Sequence, residues 1–232
     1  MSYAIVSGAN RGIGLELVAQ LLGRGWRVIA GCRKTQVLRL TELAGAHPGH
    51  LHVMPLDVAS ERSINAFVAE AGIVTDHVDL LVNNAGVLVS GERYGSVAAK
   101  SLIESFTVNA AGALLLTQAC TALLTQAESA RVANVSTMMA SLAQTDTFRT
   151  PSYAMSKAAL NMATRLLAAE LTPQGIVVAS LHPGWVQTDM GGAGAPLAVD
   201  TAATLLLDRI LALGTDDAGR FIASEDGAEL PW

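Results

Sequence analysis

Tyr3-Ala4-Ile5-Val6-Ser7-Gly8-Ala9-Asn10-Arg11-Gly12-Ile13-Gly14 runs a short apolar stretch of strand formers into three glycines. A helical period follows at once, with Leu15, Val18, Ala19, Leu21 and Leu22 on its apolar side. The spacing G-x-x-x-G-x-G is a variant of the G-x-G-x-x-G turn that links a first strand to a first helix. Gly8 permits the tight turn, Gly12 lets main chain approach a pyrophosphate, and Gly14 lets the helix pack closely on the strand. Free N–H groups at a helix start then attract negative charge. A glycine loop alone carries little weight. The strand before it and the helix after it make this one, with Asn10, Arg11 and Ile13, a candidate dinucleotide site.

Gly25 ends the first helix, and Arg27 to Gly31 reads as the second strand. An acid at the end of this strand would accept hydrogen bonds from a ribose 2′-OH, whereas an arginine accommodates a 2′-phosphate. The chain has Cys32-Arg33-Lys34 there and no acid. With Arg11 approaching from the glycine loop, the cofactor is expected to be NADP(H). Charge-assisted hydrogen bonds of roughly 1.5–3 kcal/mol make the preference tens-fold.

Strands and helices alternate along the rest. Leu51 to Val58 is a third strand ending at Asp57, an acceptor for an adenine amino group, and Ser60 to Ala71 is helical. Val78 to Val82 is an almost wholly apolar strand, as expected when both sheet faces are covered. It leads into Asn83-Asn84-Ala85-Gly86, whose amides can tie strands and whose small residues leave room for a ribose. A helix from about Val97 to Thr125 holds Asn109 among apolar neighbours, and Arg131 to Thr137 is the next strand. Ile176 to Leu181 is a sixth strand, stopping at His182-Pro183-Gly184. A helix over Val199–Leu213 and a strand near Gly219–Ser224 complete the pattern. Such alternation implies a parallel sheet with right-handed crossovers.

Between the fifth and sixth strands lies Tyr153-Ala154-Met155-Ser156-Lys157. On a helix, i and i+4 share a face, so phenol and ammonium point the same way. A nearby cation favours the phenolate and lowers a pKa that is otherwise about 10, which suits proton exchange with a carbonyl or alcohol oxygen. Tyr-x-x-x-Lys pairs recur by chance, so the rest of the chain gives this one its weight.

Ser7-Gly8-x-x-x-Gly12-x-Gly14, Asn83-Asn84-Ala85-Gly86, Asn109, Tyr153-x-x-x-Lys157 and Pro183-Gly184 fall in the order and spacing of the short-chain dehydrogenase/reductase family, which the whole chain resembles. Leu181 to Gly192 and the terminal Leu230-Pro231-Trp232 resemble its C-factor-like branch, related to small carbonyl reductases. The resemblance implies a single α/β domain over residues 1–232, a doubly wound Rossmann-type fold with a seven-stranded, mostly parallel sheet. It implies reduction of a carbonyl by hydride from NADPH, with Tyr153 as proton donor. Lys157 would tune Tyr153 and hold the nicotinamide ribose, and Asn109 would hold a relay water. Asp57, Val58, Asn84, Ala85 and Gly86 would line the adenosine and ribose path, and Pro183, Gly184, Val186 and Thr188 the nicotinamide side. The family's substrate-orienting serine falls at Thr137 by alignment, whereas Ser136 matches it in residue type. Both stay open.

No linker, repeat or low-complexity run divides the 232 residues, and a net charge of −5 without a basic cluster argues against nucleic acid. Cys32 and Cys120 are isolated, as in a reducing cytoplasm. His50 and His52 lack further ligands, so no metal is expected. The chain starts on its first strand, and no apolar run nears the roughly 20 residues of a membrane span, so neither signal sequence nor membrane is expected. The 51% hydrophobic composition and the Asn109 and Tyr153 helices, apolar around much of their circumference, suggest burial on a second side, and the family resemblance implies pairing there with a second copy, as homodimer or homotetramer. The lid from Thr188 to Leu197 is short and glycine-rich, with no cation nearby to grip an acid. Met138, Met139, Leu142, Phe148, Trp185 and Met190 would line an adaptable apolar pocket. We therefore expect a small uncharged ketone, aldehyde or quinone as substrate. NADP-dependent oxidation of an alcohol or diol is an alternative, as is a C-factor-like signalling or cofactor-sensing role.

Overall fold

The computed structural model describes residues 1–232. Seven strands, β1 (Tyr3–Ser7), β2 (Arg27–Cys32), β3 (Leu51–Pro55), β4 (Leu80–Asn83), β5 (Ala130–Val135), β6 (Ile176–His182) and β7 (Phe221–Ala223), form one sheet in the order β3-β2-β1-β4-β5-β6-β7. All six pairings are parallel, and the only antiparallel element is an isolated bridge from Ile222 to Glu229. The helices are α1 (Gly12–Gly23), α2 (Leu38–Ala46), α3 (Glu61–Val74), α4 (Ala99–Phe106), α5 (Gly112–Leu124), α6 (Pro151–Leu171) and α7 (Val199–Ala212).

The central strands are apolar at nearly every position because they are buried on both faces, and their period of two then divides them between two cores. Ala4, Val6, Leu80, Val82, Ala179 and Leu181 face α1, α2 and α7. Ile5, Leu81, Val132 and Val178 face α3, α5 and α6. Crossovers to opposite faces begin at β1 and β4, so the loops after these strands part and leave a crevice at their carboxyl ends.

A polar belt crosses the second core. Asn83, Asn134 and Ser180 stand side by side in the strand register. The Asn83 amide donates to Asn134 Oδ1 (2.8 Å) and to Thr117 Oγ1 of α5 (2.9 Å). Asn134 donates to Thr164 Oγ1 of α6 (2.8 Å), whose hydroxyl pairs with that of Ser180 (2.7 Å). All five side chains are buried. Burial is tolerable because both amide NH2 groups find partners, although Asn83 Oδ1 accepts no bond.

Three expectations change. Helix α2 had no sequence-based assignment: it is short and buries only Leu40 and Leu43, while Leu38 stands exposed, so no clear apolar stripe marks it. The helix read as continuous from Val97 to Thr125 begins at Ala99 and carries a π turn at Thr107–Ala111, which separates α4 from α5 and contains Asn109. That composite run, Ala99–Leu124, is also long and apolar enough to cross a membrane by length and composition, with a mean hydropathy of 1.4 over its most apolar 18 residues. Here Leu116, Cys120 and Leu124 of that run are spent on the core beneath the sheet.

Candidate active site

A cavity of about 1160 Å³ occupies the crevice at the carboxyl ends of β1, β4, β5 and β6. Of the catalytic and cofactor-binding residues expected from the sequence, all but Gly14 and Asn109 lie on its wall. One end is the glycine loop. Gly8 has φ +65°, and a Cβ there would stand 2.8 Å from Ala85 Cα. A Cβ on Gly14 would run into the Asn84 amide and the Gly8 carbonyl, so both glycines are demanded by protein packing against β4. Asn84 itself is turned to this task. Its amide donates to the carbonyls of Ser7 (2.9 Å) and Gly8 (3.2 Å), while Ser7 Oγ accepts from the main-chain N–H of Asn84 and Ala85 (3.1 Å each). The loop is thereby fixed before any ligand arrives.

The charges beside this loop favour an anion. Arg33 and Lys34 line the wall and enter no ion pair. Arg11 pairs with Asp189 of the loop after β6 at 2.9 Å, both side chains well exposed. Exposed pairs contribute about 0–1 kcal/mol, less than a charge-assisted bond to phosphate, so Arg11 remains available to one. Asp57 accepts from the Ala59 N–H through Oδ1, and Val58 is buried beside it. The room, the fixed cradle and the unpaired cations fit a dinucleotide bearing a 2′-phosphate.

At the other end, α6 carries Tyr153 and Lys157 inward; both are buried, Lys157 to 3% exposure. Lys157 Nζ donates to the Val135 carbonyl at 2.7 Å and lies 5.9 Å from the centre of the Tyr153 ring. Burial pulls its pKa down to about 8. Burial also pushes the Tyr153 phenol up to about 12, against the opposing effect of a hydrogen bond from the Thr137 hydroxyl. The sequence-based expectation of a depressed phenol pKa is thus reversed in the ligand-free protein. The i,i+4 spacing placed the two groups on one face, but desolvation outweighs a cation held on a carbonyl. A phenol kept protonated at neutral pH is in the form a proton donor needs.

Ser136 and Thr137 part company at the end of β5. Ser136 is 2% exposed and its hydroxyl donates to Asn161 Oδ1 at 2.7 Å, away from the phenol. Thr137, in extended conformation, shares the cavity wall with Tyr153, and its hydroxyl is the group that opposes the rise of the phenol's pKa. Asn109 stitches elements together: its amide donates to Val87 O and Ser156 Oγ (2.9 Å each), and its Oδ1 accepts from Val87 N (2.8 Å). With its side chain committed in this way, Asn109 would have to hold a relay water through its main chain or the spare lone pair of Oδ1.

The loop after β6 brings Pro183, Gly184, Val186 and Thr188 to the wall. It is held by its own bonds, among them Trp185 Nε1 to Gly191 O (2.9 Å) and Gly191 N to Thr188 Oγ1 (3.0 Å). Met138, Met139, Trp185 and Met190 line the substrate end as expected, but Leu142 and Phe148 do not: both are exposed, and Phe148 packs edge-on to Tyr94. Arg149 does line the wall, so a cation stands at the rim where none was expected. Its position four residues before Tyr153, at the entry to α6, was the available signal.

With this geometry in view, comparison with known proteins is direct. The model of the short chain dehydrogenase family matches residues 2–195. The C-signal protein of Myxococcus xanthus is 42% identical over 160 residues, 69% of this chain and 96% of that protein. Two solved structures superpose over 100% of this chain and 99% of their own, each with a TM-score of 0.93. They are NADPH-bound carbonyl reductase from chicken fatty liver, 34% identical, and carbonyl reductase Sniffer of D. melanogaster, 33% identical. Glycine loop, Tyr153–Lys157 pair and sheet order therefore have one explanation: the chain belongs to the short-chain dehydrogenase/reductase family of oxidoreductases.

Proposed function

We propose that this protein is an NADPH-dependent reductase of small ketones, aldehydes or quinones. The observation that carries the proposal is one cavity with the phenol of Tyr153 and the hydroxyl of Thr137 at one end and the unpaired Arg33 and Lys34 at the other. Gly8, Gly12 and the α1 N-terminus would hold the pyrophosphate, Arg33 and Arg11 the 2′-phosphate, and Lys157 the nicotinamide ribose. When bound, the reduced nicotinamide supplies a hydride. Thr137 holds the carbonyl oxygen of the substrate, Tyr153 gives that oxygen its proton, and Lys157, charged below about pH 8, stabilises the phenolate left behind. Met138, Met139 and Trp185 keep the substrate end apolar and exclude water. Arg149 is exposed, and an exposed ion pair is worth about 1 kcal/mol or less, so it broadens the choice toward acidic carbonyls only a few-fold. Both cysteines are free and buried, consistent with a cytoplasmic protein.

The test is loss of NADPH and NADH absorbance against a panel of aldehydes, ketones, diketones and quinones. Turnover with NADPH at tens-fold higher kcat/KM than with NADH is expected, and Arg33→Ala should remove most of that preference. Tight NADPH binding without turnover of any probe would shift weight to a second reading, a signalling role like that in the name of the Myxococcus xanthus relative.

The proposed partner is a second copy of the chain. Met155, Met162 and Leu166 lie along the outer face of α6, with Ile103 on α4, and each is more than half exposed. Light scattering at micromolar concentration should give at least a dimer mass; a monomer mass would end this assignment.

A further inference from the structure

Glu92, in the loop between β4 and α4, is 7% exposed although its neighbours Gly91, Arg93 and Tyr94 are exposed. No cation pairs with its carboxylate. A buried carboxylate without a counter-ion is costly unless hydrogen bonds replace its hydration. Both its oxygens are used on one residue sixty positions away: Oε2 accepts from the Ser152 main-chain N–H (3.1 Å) and Oε1 from the Ser152 hydroxyl in a short bond. Ser152 lies in the first turn of α6, immediately before Tyr153.

This turn does not cap itself. Thr150, its N-cap, offers no side-chain cap and sits at φ +40°, a left-handed conformation unfavourable for a β-branched residue. Pro151 contributes no N–H. The carboxylate of Glu92 supplies the missing acceptor, and the positive end of α6 supplies the charge it lacks. One turn later Asn109 donates to Ser156 Oγ, which itself donates to the Tyr153 carbonyl (2.7 Å). Tyr153 is thus clamped on both sides, by Glu92 through Ser152 and by Asn109 through Ser156.

We propose that Glu92 is a positioning residue for Tyr153: docked on Ser152, it fixes the first turn of α6 and so the direction of the phenol. The proposal rests on the reductase reading for its kinetic arm. Glu92→Gln, almost isosteric, keeps one oxygen for the Ser152 N–H but removes the charge at the helix start and forces the Ser152 hydroxyl to accept where it now donates. It should lower kcat about tenfold or more, as expected for a misdirected donor. KM for the carbonyl and the Kd of NADPH should stay within about twofold. Ser152→Ala should lower kcat in the same direction, and the double variant should fall short of the product of the two losses. A drop in Tm with kcat unchanged in both variants, or a change confined to NADPH affinity, would reduce Glu92 to a structural cap and overturn the proposal.

A second arm needs no substrate. In protein with 13C-labelled tyrosine, Tyr153→Phe identifies the Tyr153 ring resonances. In Glu92→Gln these should show faster ring flipping while those of Tyr3 are unchanged. A flip rate equal to that of the unaltered protein would overturn the proposal. Absence of carbonyl turnover in the unaltered protein, with faster flipping in Glu92→Gln, would strike the reductase reading alone.

Discussion

Tyr153→Phe is expected to lower kcat for carbonyl reduction about 10²–10⁴-fold, the range a positioned proton donor contributes. NADPH affinity should be nearly unchanged, because the substitution removes one oxygen from a ring that keeps its buried packing. The loss should fall on the chemical step, with kcat and kcat/KM dropping together and KM steady. The environment of Thr137 sharpens this. Its hydroxyl keeps its bond from Met139 N, so the loop after β5 should hold its shape. Turnover within a few-fold of the unaltered protein would remove Tyr153 from the mechanism and with it the proposed reaction.

The second large effect concerns Lys157. Lys157→Ala should cost about 10²-fold in kcat/KM, since two charge-assisted bonds of roughly 1.5 kcal/mol or more are lost to the ribose and the developing phenolate. Unlike Tyr153→Phe, it should also weaken NADPH binding. Its pH signature is separate. With the ammonium held to a pKa of about 8 by burial, kcat/KM for reduction should be level below that value and fall about tenfold per pH unit above it. Stability moves oppositely. The ordinary lysine value is 10.5, so between about pH 8 and 10.5 the unfolded chain binds the proton that the folded protein has released. Raising pH through that window therefore relieves the cost of burying the charge, and this group's contribution to stability improves as activity declines. A kcat/KM profile flat to pH 9.5 would show that bound ligand restores the lysine to its ordinary range, or that its charge is not needed.

Local signals made most of this fold legible. Leu80-Leu81-Val82 and Ile176 to Leu181 read as strands buried on both faces, and the β1–glycine loop–α1 unit marks the dinucleotide end of the crevice by its spacing alone. Sites whose geometry is set by partners far along the chain were less accessible. Whether Ser136 or Thr137 faces the phenol depends on where β5 ends, and β5 stops at Val135. Arg11 was read as free for phosphate, yet its partner Asp189 lies 178 residues away. The π turn at Asn109 leaves no mark on the hydrophobic pattern, which continues through it. Glu92 drew no notice in the sequence because nothing near it announces Ser152, sixty residues on.

The buried polar belt has a consequence beyond holding strands together: it indexes the catalytic parts against one another. A slip of β5 by one residue would turn Asn134 to the opposite face, where its own buried amide has no partner, and would cost Asn83 and Thr164 one bond each. Each buried orphan costs about 1–3 kcal/mol, so a mispaired sheet is excluded by a margin that apolar strands, interchangeable at neighbouring positions, could not supply. The same count runs upward to the cavity. Thr137 stands three residues beyond Asn134, and Tyr153 stands eleven residues, about three helical turns, before Thr164. Fastening Asn134 to Thr164 is therefore what brings the two hydroxyls to face each other, and Asn134→Ala should loosen their alignment from a site well below the cavity floor.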